Sequence, residues 1–210
     1  MSIVVVVAFF AVFMTGAWLF ARKPARQAAG RELALDKPVS VEDGVYLADG
    51  HSSAVPQGEH LNIGADALLR HIIGKIDRID LVEAGRVKKG ETLAVLFGAA
   101  RALRLRAPVD GEIKGINSEV QADPAALGDN WLVQFKPDQV SESLAKMRSG
   151  EAARTWLQQE MVRLRDSLAE LQGQDGLATA LADGGTPVAG LARQLQREQW
   201  QQLESSFFNI

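Results

Sequence analysis

Few residues of this chain have the types and spacing to do chemistry. Three histidines, His51, His60 and His71, could meet around a metal ion in a folded protein. They are not at ligand spacing, and no metal site is expected. There is no cysteine. Disulfides, thiolate nucleophiles, iron–sulfur ligation and cysteine-based zinc sites are therefore excluded. The acids Asp77 and Asp80, and Asp110 and Glu112, are scattered over turns and strands and make no acid/base pair. No phosphate loop, nucleophile elbow or dinucleotide fingerprint is present. The expectation is a protein that is not an enzyme and holds no cofactor.

What remains is cationic. From Arg86 to Lys114 there are seven basic residues against three acids; from Asp138 onward there are seven against ten. Arg101, Arg104 and Arg106 lead this excess, and Arg104 and Arg106 share a face if they lie on a strand. A planar guanidinium binds carboxylates bidentately. One reading is a docking face for a partner protein; the other is a solvated charged edge that guards a strand against aggregation. The net charge over 210 residues is −3. Nucleic acid is not an expected partner, because phosphate binding needs a strong basic excess.

The elements that must position these residues follow from pattern. Between about Val39 and Lys136, short β-rich runs alternate with Gly, Asp and Pro: "GVYLADGH", "HLNIG", "KIDRIDL", "ETLAVLF", "LRLRAP", "GEIKGIN" and "WLVQF". Such runs predict a small β sandwich or barrel. "ADALLRHIIG" differs, with Leu68 over Ile72 and Leu69 over Ile73, which predicts a short helix ending at Gly74. Gly90 and Gly111 stand in turns that favour positive φ.

From Pro137 the chain turns helical, with Asp138 and Ser149 as N-cap candidates. Leu157, Met161, Leu164, Leu168 and Leu171 form one stripe, to pack on the β domain or on a partner helix. The stretch 173–190 reads as a flexible linker. The last segment, 191–210, reads as an amphipathic helix with Trp200, Leu203, Phe207 and Phe208 on its apolar side. Large apolar side chains lose ~1.5–3 kcal/mol each if left in water. This segment should therefore dock on its own domain, a membrane surface or a partner helix.

The N-terminus carries an uncharged run, Ile3 to Ala21, followed by Arg22, Lys23 and Arg26. At ~1.5 Å per residue it spans about 28 Å, one hydrocarbon core. It is expected to be a transmembrane anchor in contact with the lipid bilayer. The basic flank predicts a single-pass protein of the inner membrane, N-terminus outside and main domain cytoplasmic. The expected division is anchor 1–21, juxtamembrane linker 22–38, β domain 39–137, helices 138–172, linker 173–190 and terminal helix 191–210.

Six short stretches carry a resemblance. "VKKGETL" and "RAPVDG", between Val87 and Gly111, resemble the half-motifs of the lipoyl/biotinyl superfamily. "YLADGH", "LNIGADAL", "GEIKGIN" and "ADPAALGDNWLVQFKP" are similar to stretches of the glycine cleavage H proteins within it. The resemblance covers roughly Val39 to Glu160. It implies a mainly β, lipoyl-type sandwich of the barrel-sandwich hybrid kind, followed by C-terminal helices. It also implies a modified lysine at a hairpin tip. Counted back from Ala107-Pro108-Val109, that position falls on Ala100, or on Arg101 if the hairpin is one residue shorter. Neither side chain offers an acylatable amine, so the lipoyl-lysine position is lost.

These expectations combine into a non-catalytic, membrane-anchored, lipoyl-like scaffold, an accessory subunit of a membrane-associated complex with one or more protein partners. Two alternatives stand beside it. One is a periplasmic adaptor of membrane-fusion type in an export system. The other is a carrier of glycine cleavage type modified at an atypical lysine.

Overall fold

The computed structural model describes residues 40–128, 130–172 and 189–208. All of them fall in one compact unit, Pro38–Ile210. Among the described residues, ten strands form two antiparallel sheets. The larger runs in the order β10-β1-β2-β3-β9-β8-β5, the smaller in the order β4-β6-β7. In chain order these are β1 Tyr46–Ala48, β2 Ser52–Gln57, β3 His60–Ala65, β4 Arg78–Leu81, β5 Arg86–Val87, β6 Thr92–Gly98, β7 Arg101–Arg106, β8 Gly111–Ile116, β9 Val133–Pro137 and β10 Arg148–Ser149. The helices are α1 Ala67–Ile73, α2 Ser118–Ala122, α3 Val140–Ala145, α4 Gly150–Gln172 and α5 Arg197–Leu203.

The sequence explains most of these elements. In β7, Leu103 and Leu105 point to the core while Arg104 faces solvent, the period of two that a half-buried strand requires. β2 contains Pro56, which cannot donate to a ladder. It is tolerated because β1 pairs only as far as Ala54, so Pro56 lies past the end of its neighbour. Helix α1 starts at Asp66, whose side chain accepts from the Leu69 N–H, and stops at Gly74 with φ 72°. Its apolar pairs, Leu68 with Ile72 and Leu69 with Ile73, are fully buried. Helix α4 buries Leu157, Leu164, Leu168 and Leu171 in the core it shares with the sheets. Its stripe packs on its own domain.

The two half-motifs interlock where the chain changes sheets. Gly90 N–H donates to the Ala107 carbonyl and Ala107 N–H to the Glu91 carbonyl, both at 2.8 Å. The Asp110 carboxylate accepts from Lys89 N–H at 2.7 Å. Gly90 has φ 84°, which a side chain would resist. Gly111 is not among the glycines of positive φ. Space requires it: a Cβ there would lie 2.5 Å from the Phe135 ring on the adjoining strand.

The expected fold class needs correction in three respects. The architecture is a mixed α/β sandwich, not a mainly β one, because helices α1 and α4 contribute buried side chains to the same core as the strands. The sheets do not close into a barrel; β10 and β5 end one, β4 and β7 the other. Among the described residues, no helix is long and apolar enough to cross a membrane. Ile3 to Ala21, on which the anchor rested, lies outside the described residues, as do 22–38. The bilayer contact, the single-pass inner-membrane location and the membrane-anchored form of the scaffold are therefore not supported by any described element. The linker at 173–190 also falls outside them, save for Ala189 and Gly190.

Candidate functional site

The hairpin β6–β7 pairs Gly98 with Arg101, which leaves Ala99 and Ala100 as a two-residue tip. Both have positive φ, 53° and 58°. Two consecutive left-handed residues give the turn whose twist matches paired strands, and the position usually takes Asn-Gly. With alanine the tip is strained by about 1–2 kcal/mol per residue. It carries two methyl groups and no nucleophile. Its base is tight: a Cβ on Gly98 would fall 2.5 Å from the Lys75 carbonyl oxygen. Asp77 N–H donates to the Phe97 carbonyl at 2.8 Å. The loop after α1 is thus fastened beside the tip, and it brings Lys75 there with an exposed side chain.

Of the three arginines, none faces open solvent alone. Arg101 donates from Nη2 to the Leu195 carbonyl at 2.7 Å. Arg104 pairs with Glu204 at 2.6 Å. Arg106 donates to the Gly90 carbonyl at 3.0 Å and so clamps the half-motif turn. Arg104 and Arg106 line a cavity of about 160 Å³ together with Gln201, Glu204, Ser205 and Phe208. The face expected to meet a partner is overlain by the chain's own C-terminal segment.

That segment begins where Gly190 N–H donates to the His71 carbonyl at 2.7 Å. Leu191, Leu195, Trp200, Leu203, Phe207 and Phe208 are all buried. Helix α5 carries a capping box between Gln196 and Gln199. A π-type turn, Glu204–Phe208, follows. The four residues expected to form a partner helix therefore pack inside this chain.

Beneath Phe207 and Phe208 lies a buried polar group that the sequence does not signal. His51 is fully buried with φ 62°. Its Nδ1 lies 2.8 Å from Asp66 Oδ2, and the other Asp66 oxygen caps α1. Phe207 stacks on the imidazole at 5.5 Å, Phe208 meets it edge-on at 5.7 Å and Trp156 lies at 5.3 Å. His51 Nε2 has no hydrogen bond, and the nearest carboxylate, Glu160, is 3.7 Å away. Glu160 is held by Arg163, whose guanidinium also covers the Phe207 ring at 4.2 Å. Arg101 Nε is likewise buried without a partner. A stranded polar atom of this kind costs about 1–3 kcal/mol. His51 and Asp66 are fifteen residues apart, and only the folding of β2 and β3 brings them together.

The other sequence-selected residues stay apart. His60 opens β3, His71 sits on α1, and neither joins His51. Among the described residues no group of three His, Asp or Glu could hold a metal ion. Asp77 accepts from Ala99 N–H, Asp80 pairs with Arg78, and Glu112 pairs with Lys114. Each of these carboxylates serves a turn or a neighbouring cation.

Comparison with known proteins finds one family. Residues 46–160 match the family profile described as glycine cleavage H-protein. A glycine cleavage system H protein of Thermus thermophilus is 30% identical over 98 residues, covering 44% of this chain and 77% of that protein. A probable glycine cleavage system H protein of Pyrococcus abyssi is 27% identical over 117 residues, covering 53% and 87%. The crystal structure of a glycine cleavage system H protein from Mycobacterium marinum aligns at a TM-score of 0.44 and 21% identity, over 50% of this chain and 98% of that one.

Proposed function

Since the chain belongs to the glycine cleavage H-protein family, whose carrier proteins are non-catalytic, we propose that it works as a carrier or scaffold subunit, by presenting a folded surface to partner proteins. The observation behind the scaffold form is the hairpin tip. The family match covers residues 46–160, and the hairpin tip, where the resemblance to lipoyl-type carriers implies a modified lysine, holds Ala99 and Ala100. A domain that keeps the fold without that lysine keeps its surfaces. The surface with recognition chemistry is the β7 arginine face, Arg101, Arg104 and Arg106, whose partner would offer carboxylates.

The carrier form is favoured by one specific feature, the exposed Lys75 beside the tip. Lys75 has no ion pair among the described residues, whereas Lys114 is paired with Glu112.

One experiment separates the two forms. The tagged native chain is captured from its source cells, its partners are identified and its intact mass is recorded. The same capture is run with Arg104→Glu and Arg106→Glu. For a scaffold, the bait is unmodified and the charge reversals lose the partners. For a carrier, an acyl adduct maps to a lysine. An unmodified bait whose partner set ignores the charge reversals removes both forms.

A further inference from the structure

The C-terminal segment covers the arginine face but fits what lies under it incompletely. To Arg101 it offers a single backbone carbonyl, that of Leu195, and leaves Arg101 Nε buried and unpartnered. A carboxylate would accept from both nitrogens of that edge. Over His51 it places two phenyl rings, and Nε2 is left without a hydrogen bond. Its side-chain ion pair among the described residues, Arg104 with Glu204, is half exposed, and such pairs hold little. Its last turn is of the π type, a geometry that concentrates at functional sites. The segment is nonetheless well matched in shape, with Trp200, Leu203 and Phe207 fully or nearly buried.

We propose that residues 189–208 are a displaceable strap. They occupy in cis a groove whose other occupant is an amphipathic helix of a partner protein, apolar on one side and bearing carboxylates that face Arg101 and Arg104. The strap is itself the template for that helix, with apolar side chains at 200, 203 and 207 and a carboxylate at 204. The basic excess of the surrounding surface selects for acidity in the incomer. Intramolecular attachment gives the strap a high effective concentration, so an outside helix enters only when it satisfies the arginines better. This inference rests on the reading of the β7 arginines as the partner-facing surface.

The test uses the whole chain and a labelled synthetic peptide with the sequence of residues 189–208. Hydrogen exchange on the native chain should show Trp200 to Phe207 opening at least tenfold faster than β6 and β7. Glu204→Arg, which sets two cations against each other, should bind the peptide at least tenfold tighter than the native chain does. A peptide carrying E204Q should bind the same variant at least threefold more weakly. The proposal is overturned if strap amides exchange only as fast as those of β6 and β7. Equal peptide affinity for the native chain and Glu204→Arg overturns it as well, and so does a neutral peptide that binds as well as the acidic one. None of these readouts needs a natural partner. Loss of the arginine-face reading would appear in the capture experiment instead, as a partner set indifferent to Arg104→Glu and Arg106→Glu.

Discussion

Replacing Ala100 by glycine should stabilise this domain, although the substitution removes a methyl group and loosens the unfolded chain. Ala100 sits at φ 58°, next to Ala99 at φ 53°. An L-residue in that region is strained by about 1–2 kcal/mol. Glycine relieves that strain but loses about 0.5–1 kcal/mol through its freer unfolded state. The balance is a gain of about 0.5–1 kcal/mol. For a chain of this size, about 1 kcal/mol moves Tm by roughly 2–4 °C. Ala100→Gly should therefore raise Tm by about 1–4 °C in a thermal melt followed by circular dichroism. Ala102→Gly is the control. Ala102 lies in β7 opposite Phe97 and is not among the residues of positive φ. There glycine brings only its entropic cost, and Tm should fall by a similar amount. If both variants fall together, the tip is not left-handed and the account of the hairpin is wrong.

Four further substitutions probe the packing. Gly111→Ala forces a methyl group against the Phe135 ring; overpacking of that kind costs about 1–3 kcal/mol, read by urea unfolding. Asp66→Ala removes the α1 cap, worth about 1 kcal/mol, and strands His51 Nδ1 at about 1–3 kcal/mol more; a summed loss of about 2–4 kcal/mol is expected from the same assay, and a loss under about 1 kcal/mol would mean that the pair is not buried. Phe207→Ala should cost about 3–5 kcal/mol where Phe207 behaves as core, whereas Arg104→Ala, at a half-exposed ion pair, should cost less than about 1 kcal/mol.

Much of the local structure was legible because it is encoded locally. Alternation in "LRLRA" marked β7, the four-residue spacing of leucine and isoleucine marked α1, and Gly74 marked its end. The absence of a lysine from Gly98 to Arg106 was also plain, although the sequence left the position open between Ala100 and Arg101, and only the strand pairing puts Ala99 and Ala100 at the tip. Other elements escaped notice. β2 carries a proline, and β5 and β10 are two residues each, too short to show a period. Gly111 looked like a turn glycine and proved to be a contact glycine, because the ring that fills its space belongs to β9.

By itself the sequence determined the longer strands, helix α1 and its end, the absence of any lysine from Gly98 to Arg106 and the basic excess around β7. These depend on neighbours within a few residues, where backbone sterics and side-chain period decide. The tertiary structure alone decided what happens to those residues afterward. It placed Glu204 on Arg104, a hundred residues away, and the Leu195 carbonyl on Arg101. It buried His51 between Asp66 and two terminal phenylalanines, and it set Lys75 beside a tip that follows it by more than twenty residues. Such contacts arise from loop closure and the shape of a shared core, and no periodicity along the chain records them.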